Sequence, residues 1–351
     1  MYIAITILLT VLMFGLLILV HETGHFIAAK LFGVRVNEFS LGMGPRLFGF
    51  GRGETKYNIR ALPIGGYVSM EGEETDTEDP RGFRRQKVWK RMVICVAGVL
   101  MNFLLGFLIA VLLVAVPGSK QLAGTTVAGV VPGAQVGGLQ EGDRIVSISG
   151  YRIFVGEDIS FGISRSDPTG KSEITQLETR MVVLRDGQRL TLNDFHPFTR
   201  VSYEDGTQED RYSFYVRAEK KNFFSVLRHG FFESLSYIRT TYLGLSDLLT
   251  GRIGIDSLGS VVRIGQVVGK VAKSGMPNLF YLMALISVNL GVMNLLPIPA
   301  LDGGRLVLLL FEGLFRRKIN GKVEYALIAG SMILLYLLVF LVTVKDIITI
   351  F

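Results

Sequence analysis

His21, Glu22 and His25 stand as H-E-x-x-H directly after nineteen uncharged residues, 2–20. On a helix, positions i and i+4 share a face. The two imidazoles therefore converge on one point, at the spacing a tetrahedral zinc ion accepts. Glu22 lies beside them, placed to take a proton from water activated by such an ion. The pattern is short and common by chance, so its setting gives it weight. A charge at mid-bilayer costs about 2.5–3.5 kcal/mol on insertion scales, and ionisable groups inside a span mark a functional site.

A catalytic zinc takes three protein ligands and keeps one position open. The chain holds four histidines. The other two, His196 and His229, fall in a segment that charge placement puts on the opposite side of the membrane. An acid then completes the set, and two stand as candidates. Glu38 follows His25 by thirteen residues, and Asp302 sits in NLLPIPALDGG at 294–304. There Pro297 and Pro299 each remove a backbone donor. Broken backbone at membrane depth persists only when buried in protein or lining a water-filled cavity. Gly303-Gly304 lets the chain turn tightly next to a metal. Asn294 offers hydrogen bonds to a substrate backbone or an oxyanion, or else a polar contact between spans.

These residues need elements to hold them. Of 351 residues, 49% are hydrophobic, and the mean hydropathy is +0.43. A span needs about 20 apolar residues, and four stretches qualify: 2–20 with its continuation, 92–116, 275–301 and 325–344. The first lacks a basic leader and is too long for a signal-peptide core. The expected fold is an α-helical membrane protein with four spans. Twelve Lys/Arg in 27–91 and the cluster Arg305, Arg316, Arg317, Lys318 and Lys322 place those two loops in the cytoplasm. Both termini and 117–274 then lie outside. The net charge of +7 suits anionic lipid at these clusters. Nucleic acid is a poor partner, because the basic residues flank apolar spans and share their loops with acids. The single cysteine, Cys95, excludes an intramolecular disulfide.

The expected order is a first span with the motif (1–31), a cytoplasmic loop (32–90) carrying a β-hairpin (56–71), and a second span (91–116). A small α+β domain (121–200) and amphipathic interfacial helices (221–274) follow. A third span with a broken end (276–301), a cytoplasmic loop (302–322) and a fourth span (323–345) complete the chain. KYNIRALPIGGYVSM at 56–70 alternates, with Gly65-Gly66 as a turn signal. Asp186-Gly187 suits a type I′ hairpin. Phe224, Leu227, Phe231, Leu235, Ile238, Tyr242 and Leu245 recur at helical spacing.

HETGH together with NLLPIPALDGG resembles the site-2 protease family of intramembrane zinc metalloproteases. The order of parts resembles its bacterial branch, here with one PDZ domain between spans two and three. GLQEGDRIVSISG at 138–150 is similar to a PDZ core. WKRMVICVAGVLMNFLLG at 89–106 resembles the family's second span, with Asn102 matching its asparagine. Residues 56–70 resemble a membrane re-entrant β-loop that adds a strand to an unwound substrate. The chain departs from the family at Gly98-Val99 and Gly259-Ser260, where Gly-Pro is usual.

The resemblance implies that His21, His25 and Asp302 hold Zn²⁺ and that Glu22 is the catalytic base. Asn294 and the β-loop residues Ile59, Arg60, Leu62, Gly65, Gly66, Tyr67 and Val68 would engage substrate. The implied reaction is hydrolysis of a peptide bond in the span of a pre-trimmed single-pass membrane protein, of the anti-sigma-factor or remnant-signal-peptide class. The PDZ domain, lying outside, would capture a peptide C-terminus or act as a gate. The implied location is a bacterial inner membrane, with the active site near the cytoplasmic side. Two other readings stand beside it: a non-catalytic PDZ scaffold, and a membrane zincin of another family using Glu38.

Overall fold

Helices form where the sequence is apolar for long runs, because a helix satisfies its backbone polar groups internally. A computed structural model describes residues 2–51, 53–73, 77–116, 121–167, 173–202, 207–254, 258–317 and 320–350. Four of its helices are long and apolar enough to cross a membrane. The chain divides into two units, one of Met1–Gly106 with Leu258–Phe351 and one of Phe107–Ser257.

In the first unit, α1 (Tyr2–Leu31) runs unbroken through the HETGH motif. It stops at Gly33, φ 75°, where the Val34 N–H donates to the Ala29 carbonyl and the Gly33 N–H to that of Lys30. That pair of bonds is the Schellman closure that glycine permits. The chain then forms β1 (Val36–Phe50) and β2 (Lys56–Met70). The two pair antiparallel, but Phe39 stands opposite both Val68 and Tyr57, and Leu41 opposite both Gly66 and Ile59. Both strands therefore bend, with Gly42 (φ 86°) and Gly44 (φ 84°) supplying a corner in β1.

This corrects the expected hairpin. Gly65 and Gly66 lie inside β2, not at a turn, and the chain reverses after β1 ends at Phe50 and before β2 begins at Lys56. The hairpin spans 36–70 rather than 56–71. Glycine serves a second purpose at Gly66: a Cβ there would stand 3.0 Å from Glu22 Cγ and from Ile18 Cγ2.

Next comes α2 (Val88–Ala115), continuous through Val99 where the family's usual proline is missing. Ser260, the other departure, accepts a hydrogen bond from the Arg263 N–H and caps helix α5 (Val261–Lys273). The third span is shorter than expected. Its helix, Met276–Asn294, ends at Asn294, because Pro297 follows within one turn and Pro299 two residues later. Residues 302–317 are not a plain loop: a helix, Asp302–Phe315, begins at Asp302 itself. Within the expected loop, 318–319 lie outside the described residues. The fourth apolar helix covers Gly321–Ile350. Ala28, Ala29, Val36, Val68, Met70, Ile94 and Leu309 share one buried cluster. It packs β2 against the helix of His21 and His25.

In the second unit, β3 (Leu122–Val130), β4 (Arg144–Ile148), β5 (Tyr151–Arg152), β6 (Thr179–Arg185) and β7 (Gln188–Phe195) share a sheet with one short helix, α3 (Asp158–Ser164). Val127, Ile145, Ile148, Met181, Val183 and Phe195 form its core. Asp186 (φ 49°) and Gly187 (φ 80°) turn between β6 and β7, the two positive φ angles of a type I′ turn. The sheet does not stop at residue 200. After a hairpin of β8 (Phe198–Ser202) and β9 (Gln208–Tyr212), β10 (Phe214–Glu219) returns to pair with β3. Within this domain, 168–172 lie outside the described residues.

The long helix α4 (Phe223–Leu249) is built inside out. His229, Glu233, Ser236 and Asp247 are buried, while Phe224, Phe231, Tyr242 and Leu249 are exposed. The polar face meets the sheet domain through His229 to Glu157 at 3.2 Å, Arg239 to the Arg152 carbonyl at 2.8 Å, and an Arg165–Asp247 ion pair. These exposed apolar side chains are left on the outward face.

Candidate active site

The helical repeat of α1 stacks His21 and His25, both buried, with Nε2 atoms 3.2 Å apart. Asp302 Oδ2 lies 3.2 Å from His21 Nε2 and 3.3 Å from His25 Nε2. Among the described residues, these three are the group of His, Cys, Asp or Glu side chains able to hold a metal ion.

Each histidine is held from behind. His25 Nδ1 donates to the Ile94 carbonyl at 2.8 Å, so its Nε2 presents a lone pair. His21 Nδ1 lies 3.2 Å from the side-chain amide of Asn102, which is fully buried and whose Oδ1 lacks a partner. Turning that amide over pairs Oδ1 with an Nδ1–H of His21 and leaves Nε2 a lone pair as well. Outer partners of this kind fix ring orientation and tautomer at metal sites.

Gly98 of α2 backs the same rings. A Cβ there would fall 2.4 Å from His25 Nε2 and 2.8 Å from His21 Cε1, so a side chain would displace both imidazoles. In the sequence Gly98 stands out only as part of a departure from the family's Gly-Pro; its place behind the two imidazoles carries no local signal.

Asp302 reaches the pair because two glycines let the 295–301 turn fold onto the start of its helix, here α7. A Cβ on Gly303 would sit 2.2 Å from the Leu295 carbonyl oxygen, and one on Gly304 2.1 Å from that of Ile298. Asp302 therefore opens α7 rather than closing the third span. Asn294, the last residue of the helix before this turn, α6 (Met276–Asn294), puts its amide 3.4 Å from His21 Nε2.

Glu22 lines a cavity of about 500 Å³ together with both histidines, Asp302 and the segment 66–70 of β2. Gly66, Tyr67 and Val68 thus come to the site. Ile59, Arg60, Leu62 and Gly65 do not line it. Ile59 and Leu62 are exposed, and Arg60 is taken up by Glu38 at 2.6 Å and the Gly44 carbonyl at 2.7 Å. Glu38 also accepts from the Tyr67 hydroxyl at 2.6 Å. With both bonds made, it braces the hairpin and is absent from the cluster. Glu73 and Arg305 line the cavity too, and sequence reasoning had not singled them out as a pair.

The model of peptidase family M50 matches residues 9–338. The chain belongs to this family of peptidases, the site-2 protease family. Similar proteins carry the name "Putative zinc metalloprotease". One, from Clostridium perfringens, is 37% identical over 97% of this chain and 98% of its own. Another, from Clostridium acetobutylicum, is 37% identical over 97% of each. A Staphylococcus aureus relative of the same description is 29% identical over 98% of each chain. In this M50 peptidase the residues that meet in the cavity come from both ends of the matched region.

Proposed function

We propose that this M50 peptidase is a zinc endopeptidase that cuts a peptide bond in the span of a single-pass membrane protein already trimmed by an earlier cut. His21, His25 and Asp302 would hold the ion. One observation carries the reading: the separations of 3.2, 3.2 and 3.3 Å among the three donor atoms. Zinc bonds of about 2.0–2.2 Å in a tetrahedron set ligand atoms about 3.3 Å apart. The three atoms thus match one face of that polyhedron. Asp302 Oδ2 is buried with no hydrogen-bond partner, a crowding of lone pairs that a cation relieves.

A bound zinc ion supplies Lewis acidity toward a carbonyl and toward water. The chain's own groups do the rest. Glu22 accepts a proton from the attacking water and hands it to the leaving amine. The Asn294 amide donates to a substrate carbonyl. Segment 66–70 adds itself as a strand to the unwound substrate, replacing helical hydrogen bonds lost on unwinding. Gly66 admits that approach beside Glu22.

The outer part of the hairpin supports a re-entrant membrane position. Leu47, Phe48, Phe50 and Leu62 are all exposed, an apolar patch suited to lipid. The sheet domain of the second unit is read as PDZ-like and extracytoplasmic, with both loops rich in Lys/Arg in the cytoplasm. The substrate class is an anti-sigma factor or remnant signal peptide. The membrane is a bacterial inner membrane.

Zinc analysis with cleavage of a model transmembrane peptide tests the reading. Glu22→Gln is expected to keep its zinc and lose about 10²–10⁴-fold in turnover, the range for a general acid–base group. Turnover equal to the parent's would overturn it.

A further inference from the structure

Arg305 stands one turn after Asp302 on α7, and Glu73 three residues beyond the end of β2. The two form an ion pair. Glu73 is tied at three points. One carboxylate oxygen meets Arg305, and the other accepts the Met70 N–H at 3.3 Å. Its carbonyl accepts from Arg84 Nε at 3.0 Å, and Arg84 pairs with Glu324 at 3.0 Å. The pair also lies where the site cavity adjoins a second one of about 660 Å³.

We propose that Arg305 and Glu73 are positioning residues whose ion pair holds the end of β2 in register with the helix that carries Asp302. The inference rests on β2 being the strand that receives substrate. A strand added at 66–70 is cut at the right bond only if β2 is fixed relative to the cleaving groups, and a 1 Å misplacement costs roughly 10²-fold. Val68, Met70 and Leu309 pack in one apolar cluster, but such packing is non-directional and leaves sliding along the strand weakly opposed. The chain Asp302–Arg305–Glu73–Met70 supplies direction. It joins Asp302, the third member of the metal cluster, to the last residue of the strand through one helical turn and two polar contacts.

The test uses the full-length protein in a Glu22→Gln, Cys95→Ala background. A Ser69→Cys thiol is oxidised with a synthetic single-span peptide whose one cysteine is moved residue by residue. With Arg305 present, the disulfide is expected to concentrate at one peptide position. Arg305→Gln and Glu73→Gln should spread it over neighbouring positions, Arg305→Lys should keep it, and zinc content should stay at the parent level. With Glu22 and Cys95 restored, Arg305→Gln should raise KM for the peptide about tenfold, the scale of one charged hydrogen bond. The double variant should be no worse than either single.

A disulfide pattern and KM that Arg305→Gln leaves unchanged would overturn the inference alone. Zinc loss with an unchanged pattern would overturn it as well, moving Arg305 to the metal site. No disulfide at any position with Arg305 intact would remove the strand reading and this inference with it.

Discussion

At the residue scale, the site is a matter of lone pairs and the space behind them. His25 is fixed by one carbonyl, His21 by one buried amide, and both rings lie against the bare backbone of Gly98. Gly98→Ala is therefore expected to weaken zinc binding about 10–100-fold, the scale for a disturbed outer shell, while the protein stays folded. Competition with a coloured chelator measures it, and an unchanged affinity would show that the rings can move aside freely. Asp302→Asn should bind less zinc, because a neutral amide replaces the buried carboxylate oxygen. Full occupancy in that variant would send the search for the third ligand elsewhere.

At the element scale, helices and strands are joined by charges taken out of water. Arg91 of α2 meets both oxygens of the Glu312 carboxylate on α7 at 3.0 Å, with both side chains largely buried. Removing one member of such a pair strands the other, so Glu312→Ala should cost about 3–5 kcal/mol. Thermal unfolding in detergent reads the loss, and no change would mean that Arg91 finds another acceptor. In the sheet domain, Arg185 donates to both oxygens of buried Asp143 at 2.7 Å and holds its carboxyl below the ordinary value. The folded form thus prefers the ionised acid. Its contribution is complete above the unfolded carboxyl's value, about 3.9, and is lost as pH falls through the lower folded value. Asp143→Asn should lower protection of 122–219 by about 1.5–3 kcal/mol at pH 7, with the gap closing in acid. Hydrogen exchange at both pH values checks the sign. A gap that widened in acid would contradict it.

At the scale of the whole molecule, the question is what the second unit does for the first. Because β10 pairs with β3, a cut at residue 200 would orphan a strand. A clean excision must take 121–219. The face of α4 this uncovers carries His229, Glu233, Ser236 and Asp247 together with Phe232 and Leu243. Such an excision, closed by a flexible linker, is expected to keep cleavage of a trimmed peptide and to release cleavage of an untrimmed one, as a gate requires. If the untrimmed substrate stays intact while the trimmed one binds more weakly, the domain captures a C-terminus instead.

Local rules made a good deal of this legible from the chain alone. Apolar runs marked the four long helices, and the 3.6-residue repeat put His21 and His25 on one face with Glu22 beside them. Asp186-Gly187 announced its turn, since few other dipeptides accept two positive φ angles. The same rules misplaced the hairpin turn, because Gly65 and Gly66 read as a reversal when they serve a bend and a close approach to Glu22. They also ran the third span past Asn294. The meeting of Asp302, and not Glu38, with the two histidines, the bare backbone at Gly98 and the Glu73–Arg305 tie were decided only in three dimensions. Periodicity reports a residue's neighbours within a few positions. Convergence of side chains from opposite ends of a chain depends on packing between elements, and no local pattern carries that.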